Sequence, residues 1–383
     1  MKKFISLKKV DSLLFYLFIF LILAGNLTVY TSSYFVAQRI TGNPYYFFIR
    51  QLVWSMVSIF ALLFFASYDY RELRKIIKPI VFITFFLLIL VFIPSLGKES
   101  GGARRWINFR LFDFNPSEFA KLVVIIYLSH ILTKKKGKIE DFTFGLLPPL
   151  LVVSSIFFII LMQSGFSTAT LLLLTSFLMF FVGGASLNHI FSIGILSLPV
   201  LGFLIWKVSY RMSRILSFLD PWADPFGKGY HLIQSLKAFA RGGLFGVGFG
   251  NGVQKTGYLP APHTDFVFSV ISEEFGLIGA IFIILIYFVI FLRGMLIARK
   301  VEDNFGALLC YGIVTLFSLH FILNIAITTA TIPPTGISLP FLSYGGSSSL
   351  VFSTGCGILL NISKSARIHY APGEVEQIIN DGF

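Results

Sequence analysis

Residues 13–36 read LLFYLFIFLILAGNLTVYTSSYFV without one charge, and nine more predominantly apolar runs follow along the chain. A helix needs about 20 apolar residues to cross a bilayer. The ten runs fall at roughly 13–36, 46–66, 76–95, 116–133, 143–163, 166–184, 188–206, 265–292, 306–328 and 341–362. Of the 383 residues, 56% are hydrophobic and 13% charged, with 45 Phe; soluble domains carry about a quarter charged residues. The expectation is an all-α polytopic membrane protein with ten transmembrane helices. It forms a single membrane domain over 1–383, with a long extracytoplasmic loop, about 207–264, between helices 7 and 8 and a tail from about 363 to 383.

Basic residues set the orientation. Lys2, Lys3, Lys8 and Lys9 precede the first run; Arg71, Arg74, Lys75 and Lys78 follow the second; Lys134, Lys135, Lys136 and Lys138 follow the fourth. Arg293, Arg299 and Lys300 follow the eighth, and Lys364 and Arg367 the tenth. With ten spans all of these share one side, which the positive-inside rule makes cytoplasmic, together with both termini. The net charge of +13 is therefore mostly a topology signal and gives no reason to invoke nucleic acid. The first run is too long for a signal-peptide core and lacks a clear small-residue cleavage site. Cys310 and Cys356 lie inside predicted spans, where packing is their expected role.

Three outward segments stand out: 96–115, 207–264 and 329–346. The second is rich in Gly, Pro, Trp, Tyr and Leu and is expected to hold short amphipathic helices at the interface, for instance over 229–241. The third, PPTGISLPFLSYGGSSS, breaks an apolar region with Pro and Gly. Such backbone is tolerated at membrane depth only where protein or a cavity shields it, which predicts a segment that folds back and lines a site. GGLFGVGFGNG lacks the GK[ST] ending of a phosphate loop, so its glycines are read as serving close packing.

Several polar residues need an explanation. In FNPSEFAKL, Asn115 suits a helix cap, Pro116 the first helical position and Glu118 the positive helix end. Lys121 lies deeper, one turn after Glu118, and needs it as a partner; a structural pair and a functional pair stay equally open. Arg104, Arg105 and Trp106 read first as an interfacial anchor, although Arg forks also fit phosphate oxygens. Arg211 and Arg214 lie one turn apart, and Asp220 and Asp224 fit Pro-associated turns. Asp265, after His263 and Thr264, stands where an apolar helix begins, with Thr264 better placed as its cap. Glu273 and Glu274 follow two turns on. Three acids in one span are costly and point to an ion path or to a base facing a cavity. Glu273 lies roughly 12 Å along the helix from Asp265, too far to share a proton.

These motifs together resemble the SEDS family (shape, elongation, division and sporulation; FtsW, RodA and SpoVE). The resemblance covers nearly the whole chain: RRWINF with FNPSEFAKL, YRMSRILSFLDPWADPFGKGYHLIQSL, GGLFGVGFGNGVQKTGYLPAPHTDFVFSVISEEFGLIG and PPTGISLPFLSYGGSS, in that order. Its wording is nearer the FtsW branch than RodA. The resemblance implies a peptidoglycan glycosyltransferase of the bacterial cytoplasmic membrane that polymerises lipid II at the outer face and releases undecaprenyl diphosphate. It also implies a class B penicillin-binding protein as partner, with divisome or elongasome proteins around it. Asp265, the Asp of the His-Thr-Asp motif, is the implied general base. Glu118, Lys121, Arg50, Arg105, Trp106, Arg211, Arg214, His263, Thr264, Ser343 and Tyr344 are the substrate-contact candidates. Where the family usually carries Gln-Pro-Asp-x-Gly-Thr, this chain reads QSGFST from Gln163 to Thr168. Gly165 replaces a carboxylate that in relatives faces the same cavity, which puts a divalent cation (Mg or Mn) in doubt. His320 stands where the family often has Gln, and WINFRLF lacks a usual Gly. Two other readings remain: a lipid II flippase, and a weakly active scaffold for a penicillin-binding protein, for which Gly165 is the motive.

Overall fold

The computed structural model describes residues 10–100, 103–109 and 112–366. Lys2, Lys3, Lys8, Lys9, Arg110, Arg367 and most of the expected tail lie outside the described residues. Twelve α-helices account for most of the rest: α1 (Ser12–Thr41), α2 (Tyr46–Ser67), α3 (Leu73–Leu90), α4 (Pro116–Lys134), α5 (Leu147–Met162) and α6 (Phe166–Val182), then α7 (Leu187–Trp206), α8 (Ser209–Leu219), α9 (Tyr230–Gly242), α10 (Val267–Lys300), α11 (Asn304–Thr328) and α12 (Gly346–Ser363). Each expected span corresponds to a helix. Among the described residues, seven helical segments are long and apolar enough to cross a bilayer: α1, α2, α4, Phe142–Met162 including α5, α7, α10 and α11. The apolar α6 has only 17 residues. α3 opens with Arg74, Lys75 and Lys78, and α12 is rich in Ser and Gly.

α4 and α11 form the middle of the bundle. α11 packs on α10, α4, α6 and α12, and α4 also meets α3. Three buried hydroxyls, one on α4 and two on α6, are satisfied inside their own helices. Ser129, Thr175 and Ser176 donate to the carbonyls of Ile125, Leu171 and Leu172 at 2.7, 2.8 and 2.8 Å, so none is left unpaired among apolar neighbours. Cys310 and Cys356 are buried there as expected. α7 is the opposite case: apolar along its length, with none of its side chains buried.

One end of the bundle gathers charge. Arg74 pairs with Asp303 at 2.5 Å and Arg293 with Asp11 at 2.7 Å. Asp11 N–H bonds Ser363 Oγ, and Tyr70 N–H bonds the Asn361 side chain. The starts of α1, α3 and α11 and the end of α12 therefore share that end, in keeping with the sidedness read from the basic residues.

The opposite end holds what hydropathy did not reveal. The all-helical expectation is corrected there by a three-stranded antiparallel sheet, β1 (Gly97–Ser100), β2 (Ala103–Asn108) and β3 (Asp113–Phe114), in the order β1-β2-β3. β3 leads into α4, where the Asn115 side chain accepts the Ser117 N–H at 3.1 Å and Pro116 takes the first turn, as the sequence predicted. The long loop contains α8 and α9. Asp220 accepts from Trp222 and Ala223 N–H, and Asp224 from Lys228 N–H, so both acids build turns.

α10 is not one continuous helix. Gly276 has φ 67° and ψ −166°, a conformation that only Gly adopts without strain. The break releases backbone groups of α10, and residues 243–248 take them up. Val247 and Gly248 N–H bond the carbonyls of Glu273 and Glu274, while Leu277 and Ile278 N–H bond those of Gly243 and Leu244, all between 2.9 and 3.2 Å. A methyl group on Gly276 would lie 2.4 Å from the Gly246 nitrogen and the Leu244 oxygen. The glycine-rich stretch is therefore spliced into the helix, which is the close packing its composition predicted.

Candidate active site

Asp265 does not begin α10. It sits two residues earlier, half-buried, and Thr264 is not the helix cap expected of it: its hydroxyl donates to the Ala261 carbonyl at 3.3 Å. α11 and the segment between α11 and α12 hold the Asp265 backbone. Asn324 donates through its side-chain amide to the carbonyls of Asp265 (2.9 Å) and Ile337 (2.7 Å). Gly336, with φ 73°, lies so close that a methyl group there would be 3.3 Å from Asp265 Oδ2. The 329–345 segment thus folds back onto the acid, as its prolines and glycines implied.

Burial raises the Asp265 carboxyl above the ordinary carboxylate range, and the guanidinium groups of Arg214 and Arg105 pull it part of the way back. Arg214 comes from α8. It donates to the Pro334 carbonyl at 2.9 Å, bonds the Tyr210 hydroxyl and stacks on the Tyr210 ring at 4.4 Å. Arg105 comes from β2 and donates to the Ser164 carbonyl at the end of α5. Its Nε is buried with no partner. Arg211, one turn before Arg214, donates to the Leu204 carbonyl at 2.8 Å and lies over the Phe166 ring at 4.8 Å. Burial lowers the affinity of both Arg105 and Arg211 for their protons, and Arg211, Arg214 and Asp265 all act electrostatically on Arg105. Two cations from separate elements, Arg214 of α8 and Arg105 of β2, thus act on one carboxylate, and Arg211 acts on Arg105.

The remaining candidates fall into two neighbouring groups. Ser343 Oγ donates to the Thr264 carbonyl at 2.5 Å and accepts from Leu339 N–H, and Tyr344 N–H bonds the His263 carbonyl at 2.7 Å. The His263 ring packs between Phe47 and Tyr344, and burial pushes its pKa down to about 4. His263 is therefore a neutral packing group that holds the loop. Arg50 is exposed, stacks on Tyr46 at 4.6 Å and reaches the Tyr344 hydroxyl. Trp106 follows Arg105 on β2, where the register slips: Trp106 pairs with Lys98 and Arg104 with Glu99, so Arg105 is the extra residue of a bulge.

Lys121 stands apart from these arginines. It is buried on α4, with both Glu118 oxygens at 3.1 and 3.0 Å and His320 Nε2 at 2.7 Å. Sequence reasoning found Glu118 but missed His320 as a partner, because nothing in hydropathy sets the facing residue on another helix. Glu273 and Glu274, read as a possible path or base, are anchors. Glu273 accepts from Val253 and Gln254 N–H at 2.9 to 3.2 Å, with Arg241 at 3.7 Å, and Glu274 pairs with the buried Lys255.

A divalent cation fits these residues poorly. Among the described residues no group of three or more His, Cys, Asp or Glu is placed to hold one. Position 165 offers no carboxylate, and Asp265 already faces two guanidinium groups.

A bundle of membrane-crossing helices with a half-buried acid beside two arginines at one end defines a multi-pass membrane protein with a candidate site at that end. The chain belongs to the FtsW/RodA/SpoVE family of cell cycle proteins, which it matches over residues 11–368. It is 38% identical over 348 residues to the probable peptidoglycan glycosyltransferase FtsW of Geobacter sulfurreducens, covering 91% of this chain and 93% of the relative. It is 40% identical over 357 residues to stage V sporulation protein E of Bacillus subtilis, covering 93% and 98%. SpoVE therefore matches as well as FtsW does. Among solved structures, a chain of a peptidoglycan synthase complex that coordinates polymerization and crosslinking superposes with a TM-score of 0.77 at 25% identity, covering 94% of this chain and 100% of that one. The rod shape determining protein RodA of Thermus thermophilus superposes at 0.70 and 22% identity over 94% and 99%, a likeness of fold.

Proposed function

We propose that this protein is a peptidoglycan glycosyltransferase that polymerises lipid II at the outer face of the bacterial cytoplasmic membrane, with ten spans and both termini inside. The observation that carries the reading is the half-buried Asp265 carboxylate, faced by Arg214 and Arg105 with Arg211 beside them. The donor sugar is α-linked to a lipid diphosphate and the product is β-1,4-linked. Inversion needs one displacement and one base. Asp265 takes the proton of the acceptor 4-hydroxyl as its oxygen bonds carbon one of the donor, and the bond to the diphosphate breaks. Undecaprenyl diphosphate leaves with the electron pair, and fixed cations stabilise its charge without a second acid. Desolvation of Asp265 favours this role, because a raised pKa makes a carboxylate a stronger base.

The likeness to a chain from a complex that joins polymerization to crosslinking supports a transpeptidase of the class B penicillin-binding type as partner. The test is direct: the purified full chain, with such a partner, is given fluorescent lipid II and the products are resolved by gel. Glycan strands are expected from the wild type and none from Asp265→Asn. Strands from the variant at the wild-type rate would remove Asp265 from the chemistry.

A further inference from the structure

α11 grips the folded-back segment at two successive carbonyls. Asn324 holds that of Ile337, and His320, one turn earlier on the same face, has Nδ1 at 3.2 Å from that of Ser338. The residue just before them, Gly336, lies against the Asp265 carboxylate. The opposite edge of the His320 ring meets Lys121, with Nε2 at 2.7 Å from Nζ. An ammonium group only donates, so Nε2 must accept. The ring proton then sits on Nδ1 and is donated to Ser338. The ring is buried and meets Phe352 edge-on at 4.9 Å, which fixes its plane.

We propose that His320 is a positioning residue: its tautomer, set by Lys121, clamps the 336–338 segment and so fixes the wall against which Asp265 works. This rests on the polymerase reading of Asp265. In it the Glu118–Lys121 pair acts through His320 on the geometry of the base, and the contact with substrate is left to the arginines. The clamp requires one side chain with a donor at one end and an acceptor at the other. Gln has both, in its amide N–H and its carbonyl. Asn has both but is too short to reach Ser338 and Lys121 together, and Leu has neither.

The experiment measures lipid II polymerisation by the full chain with its transpeptidase partner for His320→Gln, His320→Asn and His320→Leu, alongside Asp265→Asn and melting temperatures. His320→Gln is expected to keep kcat within about threefold, while the Asn and Leu variants lose about ten- to a hundredfold in kcat with KM nearly unchanged, as misplacement of a reacting group predicts. If His320→Leu does not fold, the polar Asn variant carries the test against Gln. A folded Asn or Leu variant with wild-type kcat, a Gln variant as slow as these, or a loss confined to KM would overturn the clamp. An inactive wild type, or an active Asp265→Asn, would instead overturn the polymerase reading, and the clamp with it.

Discussion

Asp265 and the Glu273–Glu274 pair stand at the two ends of the same short helical stretch, and their surroundings differ in kind. Glu273 and Glu274 are fully buried and spend their oxygens on the protein itself: two backbone N–H groups, Arg241 and Lys255. Asp265 is only half-buried. It is anchored by its carbonyl, and its carboxylate is left facing cations that come from β2 and α8. An acid whose bonds are all internal stabilises a loop, and one whose partners are held by other contacts has capacity left for a substrate. Position in the sequence does not separate the two; the partners do.

The largest effect that would sharpen this contrast is on catalysis. Asp265→Asn should lower polymerisation by about a thousandfold, within the range for losing a general base, and leave the melting temperature unchanged or higher, since a desolvated charge is removed. Equal loss of stability and activity would make Asp265 another anchor.

Glu274→Gln should do the reverse. Breaking a buried ion pair leaves Lys255 uncompensated at a cost of about 3–5 kcal/mol, read as a lower melting temperature. The folded fraction should still polymerise. Replacing both partners, Lys255→Met with Glu274→Leu, should recover much of the loss, because a well-packed apolar pair avoids the desolvation of two charges. A Glu274→Gln protein of normal stability that makes no glycan would return that acid to the chemistry.

The sequence shows this contrast only in part. Apolar runs marked every spanning helix, because in lipid the backbone must satisfy itself and composition alone then reports the helix. Asn115 and Pro116 were legible as a cap because capping is local. The break at Gly276 was not, since it depends on residues 243–248 reaching α10 from more than twenty positions away. A signal existed: two acids before a Gly, a glycine-rich stretch upstream and one Lys without a local partner. The sheet was hidden for a similar reason, its short strands being charged and paired only with each other. His320 registered as a departure from the family pattern, and its meaning came only with Lys121 and Ser338 on either side of the ring.

A smaller effect sharpens the electrostatic half of the comparison. Arg214 is the stronger of the two guanidinium influences that lower the Asp265 pKa. The base works as a carboxylate, so activity falls as pH drops through its pKa. Arg214→Gln should therefore raise that pKa and move the acid limb of the kcat/KM profile about one unit toward higher pH. An unmoved limb, whatever the plateau, would mean that another group sets it.

The smallest expected effect concerns the carboxylate that is missing. Restoring it by Gly165→Asp is the obvious way to look for a latent cation site, and the local backbone argues against success. A Cβ at Gly165 would lie 2.8 Å from Ile160 Cγ2 and 2.9 Å from the Ile160 carbonyl, which already accepts the Gly165 N–H. The preceding Ser164 holds φ at 61° to close that turn, and its carbonyl takes Arg105. A new side chain must displace the turn and with it the arginine that faces Asp265. Gly165→Asp should therefore lower both the melting temperature and polymerisation. Since Arg105 and Arg214 already supply positive charge beside Asp265, a chelator such as EDTA should change the wild-type rate by less than about twofold, as fixed donors need no ion to complete them. Inhibition by EDTA reversed by Mg or Mn, or a Gly165→Asp protein faster than wild type, would show that a metal ion shares the work assigned to the arginines.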